Sequence, residues 1–164
     1  MTMQRSSPGH AALRQGRRTL AGQAYLLTTS THRRHPWLEH HDVAAAVARE
    51  LDNDHLWRKS ELHAWVIMPD HMHALVTLEG SETLSRLMAR IKAVTARTAN
   101  QVLQRRPPFW ARGFHDHALR SDENIATAAR YIVVNPVRAG LVDDPWQWPF
   151  WKCCWPLNPN DPAP

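Results

Sequence analysis

His71-Met72-His73 lies inside the segment MPDHMHALV. On a strand, alternate residues point to one face, so the two imidazoles would stand about 7 Å apart on one side while Met72 turns into a core. Two neutral imidazoles so placed can converge on one divalent metal. The competing reading is a chance surface pair in a chain with 11 histidines. A second pair sits in RYIVVNPVRAGLV, where Tyr131 and Asn135 are four residues apart. On a helix the phenol and the carboxamide would share a face, and an amide oxygen can be a third metal ligand. Pro136 is costly inside a helix, so a kink or an early helix end is expected there. The competing reading of Tyr131 is a tyrosine at the boundary of a core. His115 and His117 form another same-face pair: ligands, a general acid, or strand histidines at a sheet surface, with the last preferred.

These residues need elements to position them. Segment 24–31 (AYLLTTST) reads as a first strand, and 39–58 has helical spacing through Val43, Val47 and Leu51. Segments 62–68 and 71–78 read as the arms of a hairpin turned at Pro69-Asp70. Ser81 can cap a long helix over 82–103 with Leu84, Leu87, Met88, Ile91 and Val94 on one face. Segment 105–113 is a Pro-containing loop and 114–120 a short strand. Ser121 precedes a last helix over 123–138, which Gly140 ends. The order β-α-β-β-α-β-α predicts an α+β fold: a ferredoxin-like β-α-β-β-α-β core with an additional C-terminal helix carrying Tyr131. The sheet should be antiparallel with two helices on one face, leaving the other face free for a site. Residues 1–22 read as a flexible basic arm, 23–142 as the domain, and 143–164 as a Trp/Pro-rich, irregular tail. Its four tryptophans (Trp146, Trp148, Trp151, Trp155) should pack it back on the domain.

Composition narrows the classes. The chain has 164 residues, enough for about one domain with a true core. The net charge is +5, and 17 of the 20 basic residues are arginine, the side chain that grips phosphate with two parallel hydrogen bonds. Residues 1–38 carry six arginines and no acid. Residues 83–115 carry six arginines and Lys92, again with no acid. Such segregation fits a polyanion footprint, nucleic acid first; the competing reading is a solvated arginine-rich surface. The two cysteines, Cys153 and Cys154, are adjacent, which excludes a disulfide framework and a Cys-based zinc finger. No stretch is long and apolar enough to span a membrane, and the start has no apolar signal region, so a cytoplasmic location is expected.

Taken together, four blocks resemble the REP-associated tyrosine transposases of the single-tyrosine HUH superfamily, named for a His-hydrophobic-His motif. They are MPDHMHALV, the basic helix with IKAVTARTANQVL, FWARGFHDHALR and RYIVVNPVRAGLV, in order over about 25–142. The resemblance implies that His71 and His73 bind the metal, that Asn135 is the third ligand and that Tyr131 is the catalytic nucleophile. It implies Mg²⁺ or Mn²⁺ as cofactor; imidazole ligation is unusual for Mg²⁺, so Mn²⁺ or another transition metal should bind tighter. It implies nicking and joining of single-stranded DNA through a covalent 5′-phosphotyrosine, with hairpin DNA as partner and the protein a monomer or homodimer.

Arg33, Arg34, Arg86, Arg90, Arg97, Arg112, Arg120 and Arg138 are the candidate phosphate contacts. Phe109 and Trp110 either stack on bases or pin their loop to the core. Two rival functions remain: a domesticated relative that holds DNA hairpins without cutting, and a metal hydrolase using His71, His73, His115 and His117 without a tyrosine.

Overall fold

The computed structural model describes residues 20–106, 108–120 and 123–156. Most of the expected basic arm, and Ser121, lie outside them. The chain runs β1 (Ala24–Ser30), α1 (His41–Leu51), β2 (Ser60–Met68), β3 (His71–Leu78), α2 (Leu84–Val102), β4 (His115–Ala118), α3 (Ile125–Val133), α4 (Asn135–Arg138) and β5 (Trp151–Cys153), with short 3₁₀ turns between. The strands form one antiparallel sheet in the order β4-β1-β3-β2-β5. β3 lies between β1 and β2, and β1 between β3 and β4, which is the split β-α-β arrangement expected from the element order.

Alternation sorts the two faces. Met72, Ala74, Val76 and Leu78 of β3 join Tyr25 and Leu27 of β1 and Trp65 and Ile67 of β2 under α1 and α2. α1 offers Val43, Val47 and Leu51; α2 offers Leu84, Leu87, Met88 and Ile91, the spacing of one helical face. The other face carries Ala24, Val66, Met68 and Leu75, covered by Ala129, Ile132 and Val133 of α3. That face is therefore not free, as expected from sequence, but half covered. α3 lies against β2, β3 and β5 and leaves the β1–β4 side open.

Several boundaries differ from expectation for local reasons. The helix expected over 39–58 stops at Leu51. The Asn53 side chain then accepts from the His55 N–H (3.0 Å) and starts a 3₁₀ turn, Asp54–Trp57, that buries Leu56 and Trp57. α2 is capped by Thr83, whose hydroxyl accepts from the Arg86 N–H, rather than by Ser81. α3 is capped by Asn124, which accepts from the N–H groups of Ala126 and Thr127. It ends at Val133, and Pro136 sits in the first turn of the separate α4, where a missing N–H costs little. The tail holds a strand where irregular chain was expected. β5 pairs with β2, the Ile67 N–H donates to the Phe150 carbonyl (2.9 Å), and Trp148 Nε1–H donates to the Ile67 carbonyl (2.8 Å).

Candidate functional site

The alternation that sends Met72 into the core turns His71 and His73 to the α3 face, with ring centroids 4.8 Å apart. Each ring is oriented through Nδ1. His71 Nδ1–H donates to Asp70 Oδ1 (2.6 Å), and His73 Nδ1 lies 2.8 Å from Thr28 Oγ1, its cross-strand partner. The tautomers that donate from Nδ1 leave both Nε2 atoms with a lone pair, the form a metal requires. Burial pushes the His73 imidazole down to about 4, helped by the charges of His71 and Arg34, so it is neutral at ordinary pH. Asp70 is itself held: Arg34 Nε donates to its Oδ2 at 2.8 Å. Arg33 and Arg34 both have φ of 56°, a left-handed pair that aims Arg34 back over the β2–β3 turn. The Thr31 hydroxyl beneath donates to the carbonyls of His35 and Asp70.

Tyr131 is on α3 and is 37% exposed, with the Arg138 guanidinium 4.6 Å above its ring. It lines a cleft of about 520 Å³ between α3 and the open side of the sheet, whose other walls include Leu26 of β1 and His117 of β4. Leu26 and Thr28 share a face of β1 two residues apart, so the cleft floor lies about 7 Å along the strand from the row of His73. Asn135 begins α4, which packs on β2, the strand whose Met68 pairs with His71. Its Nδ2 is buried and has no hydrogen-bond partner among the described residues. Rotation exchanges the N and O of such an amide, so this carboxamide has an unsatisfied head that a ligand could use. Among the described residues no three His, Cys, Asp or Glu side chains cluster as a metal site. The two imidazoles are nitrogen donors, a chemistry that suits Mn²⁺ better than Mg²⁺.

The family model described as "Transposase IS200 like" matches residues 20–135, which is most of the chain. The chain belongs to the IS200-like transposase family. A REP-associated tyrosine transposase of Escherichia coli K12 is 34% identical over 94 residues, covering 57% of this chain and 54% of its own. A Haemophilus influenzae Rd protein is 31% identical over 100 residues, covering 55% of this chain and 57% of its own. The chain thus spans about half the length of the curated relatives it matches. A solved REP-associated tyrosine transposase bound to a REP hairpin superposes with a TM-score of 0.62 at 25% identity, covering 88% of this chain and 92% of that one. The resemblance read from the four sequence blocks is borne out.

In this member of the IS200-like transposase family the candidate arginines fall into separate groups. Arg33, Arg34 and Arg112 are exposed at the end of the sheet where His71 sits; the Ala111 N–H bonds the Ser30 carbonyl there, and Lys92 donates to the carbonyls of Ala111, Arg112 and Gly113. Arg120 is exposed past the far end of β4, and Arg138 lies over Tyr131. Arg86 and Arg97 are exposed on α2, in the layer across the sheet from the histidines. Arg90 is committed inward: its guanidinium donates to the Leu56 and Arg58 carbonyls and pairs with Glu82 at 2.9 Å. Phe109 and Trp110 are buried, Phe109 stacked with Trp37 and Trp110 Nε1 bonded to Thr95, so they pin their loop and are not a base platform. The four-histidine hydrolase finds no support. Thr28 separates His73 from His115 by two strand spacings, about 10 Å, and His115 and His117 are exposed. Sequence reasoning missed Asp70 and Thr28. Asp70 adjoins His71 and was legible as a carboxylate next to an imidazole, whereas Thr28 is 45 residues away from His73 and left no local signal.

Proposed function

We propose that this chain nicks and rejoins single-stranded DNA beside a hairpin, with Tyr131 as nucleophile and His71, His73 and Asn135 as the holders of a divalent metal, Mn²⁺ or Mg²⁺. The observation that carries this reading is that one sheet face presents two imidazoles oriented through Nδ1 and, beside them, a cleft lined by an accessible phenol. When bound, the metal would supply Lewis-acid stabilisation of charge on the phosphate's non-bridging oxygens. Tyr131 Oη attacks the phosphorus; the bond to the 3′-oxygen breaks, the phenolic proton is lost and the 3′-oxygen gains one. The products are a 5′-phosphotyrosine and a 3′-hydroxyl, and the ester keeps the bond energy needed for rejoining. The Arg138 guanidinium lies over the Tyr131 ring and puts a cation beside the attacking phenol, where an incoming phosphate carries negative charge. Arg33, Arg34 and Arg112 give the DNA backbone a landing edge at the His71 end of the sheet. The solved relative's REP hairpin supports a hairpin as the DNA partner.

The test is incubation with Mn²⁺ and a pool of single-stranded hairpin oligonucleotides, followed by denaturing gels. A protein-linked DNA fragment is expected from the wild type and none from Tyr131→Phe. An adduct that survives Tyr131→Phe, or DNA cleavage without any adduct, overturns the reading.

A further inference from the structure

We propose that the cleft beside Tyr131 is a nucleobase pocket that takes an amine-bearing base (cytosine, adenine or guanine) in preference to thymine, from the strand being cut, next to the scissile phosphate. The inference rests on the function proposed above for its position in the reaction, but not for its binding chemistry. The cleft is about 520 Å³, within the range of sites that bury a small organic group. Leu26, Leu119 and Ala128 give it apolar surfaces suited to the faces of a base. Its polar edge is shared by His117, Asn124, Thr127 and Glu123, and the Glu123 carboxylate accepts the Arg120 N–H (2.5 Å) and lies 3.4 Å from His117 Nε2. The Arg120 N–H, and then the His117 side chain, outweigh desolvation and hold the Glu123 carboxyl below the usual range, so it is an ionised acceptor.

A carboxylate accepts but cannot donate. It therefore pairs with the exocyclic amine of cytosine, adenine or guanine, whereas thymine has no amine and offers a single N3–H flanked by two carbonyl oxygens that the carboxylate repels. Thr127 and Tyr131 line the same side of the cleft four residues apart on α3. One rigid helix thus holds the base pocket and the phenol, so a seated base fixes which phosphate faces Tyr131. Arg120, next to Glu123 and exposed, offers a contact for the phosphate of the seated nucleotide.

The test separates binding from cleavage. Full-length Tyr131→Phe protein is titrated by fluorescence anisotropy with short oligo(dC), oligo(dA) and oligo(dT) at fixed salt. Oligo(dC) and oligo(dA) should bind about tenfold tighter than oligo(dT). A second Glu123→Gln change should bring the three to within about twofold. Thr127→Phe, at an exposed helix position, should fill the cleft and weaken oligo(dC) and oligo(dA) to the level of oligo(dT). Equal affinities in the parent, or a preference that survives both changes, overturn the pocket. In the cleavage arm, the bases flanking the cut are replaced one at a time in a substrate that yields the adduct. An adduct formed equally well with every flank also counts against it. A base preference in binding with no adduct from any substrate leaves the pocket standing and removes the cleavage reading instead.

Discussion

Two His-x-His sequences face the same side of the same sheet, and they differ in everything but spelling. His71 and His73 sit on the central strand β3, partly shielded, with Nδ1 of each engaged by Asp70 or Thr28. His115 and His117 sit on the edge strand β4 and are exposed; among the described residues His117 has a single long contact, to Glu123. A ligand needs a fixed ring, a defined tautomer and a neutral nitrogen, and those come from neighbours rather than from the motif. The strand's place in the sheet decides which pair gets them.

The sharpest break of the comparison is His71→Ala. Cleavage should fall by about 10³-fold or more, the scale of removing an electrostatic stabiliser of a transition state. Hairpin affinity should stay within about tenfold, because arginine–phosphate contacts dominate binding. Gel assays of cleavage beside a mobility-shift titration read both; equal loss of both would place His71 in DNA binding instead. The next effect is smaller and tests orientation itself. Asp70→Ala leaves the His71 ring in place but unheld, so the Mn²⁺ concentration for half-maximal cleavage should rise about 10–100-fold while saturating Mn²⁺ restores most of the rate. An unchanged metal requirement would remove Asp70 from the site.

The buried member of the pair also ties stability to pH. His73 titrates near 4 when folded and near 6.5 when unfolded. Above 6.5 both states are neutral and the group contributes nothing. As pH falls from 6.5 toward 4 the unfolded chain takes up a proton that the folded chain refuses, so stability declines across that window, by up to about 3 kcal/mol in total. Thermal melts of the metal-free protein between pH 7 and 4 should show the decline, and His73→Gln should flatten it. A variant curve as steep as the wild type's would assign the decline to other groups.

The comparison also shows what a linear sequence can carry. The β-α-β-β-α-β order was legible because Met72, Ala74, Val76 and Leu78 alternate while Leu84, Leu87, Met88 and Ile91 follow a helical step, and each pattern is local. β5 was not, because three residues between prolines carry no periodicity; the strand exists only because β2 offers an edge and Trp148 a hydrogen bond to Ile67. The candidate ligands and the phenol were legible as residue types, but their settings were not. Arg90 and Arg97 are seven apart on one helix and look alike in sequence. Only the fold shows that Glu82 and two carbonyls from the 54–58 turn claim Arg90 and leave Arg97 exposed.

The smallest expected effect is the counterpart of the largest. His115 stands opposite Thr28 on the side away from His73, so if the motif alone conferred function, His115→Ala would resemble His71→Ala. Its ring is exposed on an edge strand, where substitutions shift stability by no more than about 0.5 kcal/mol. Cleavage by His115→Ala should stay within about threefold of the wild type, with no change in the Mn²⁺ requirement, because its exposed ring, on a backbone two strand spacings (about 10 Å) from that of His73, has no neighbour among the described residues that fixes it toward the His71–His73 pair. A shifted Mn²⁺ requirement in the same titration would mean that the His115 ring turns across Thr28 toward His73 when metal and DNA are bound, and that the two pairs act as one site.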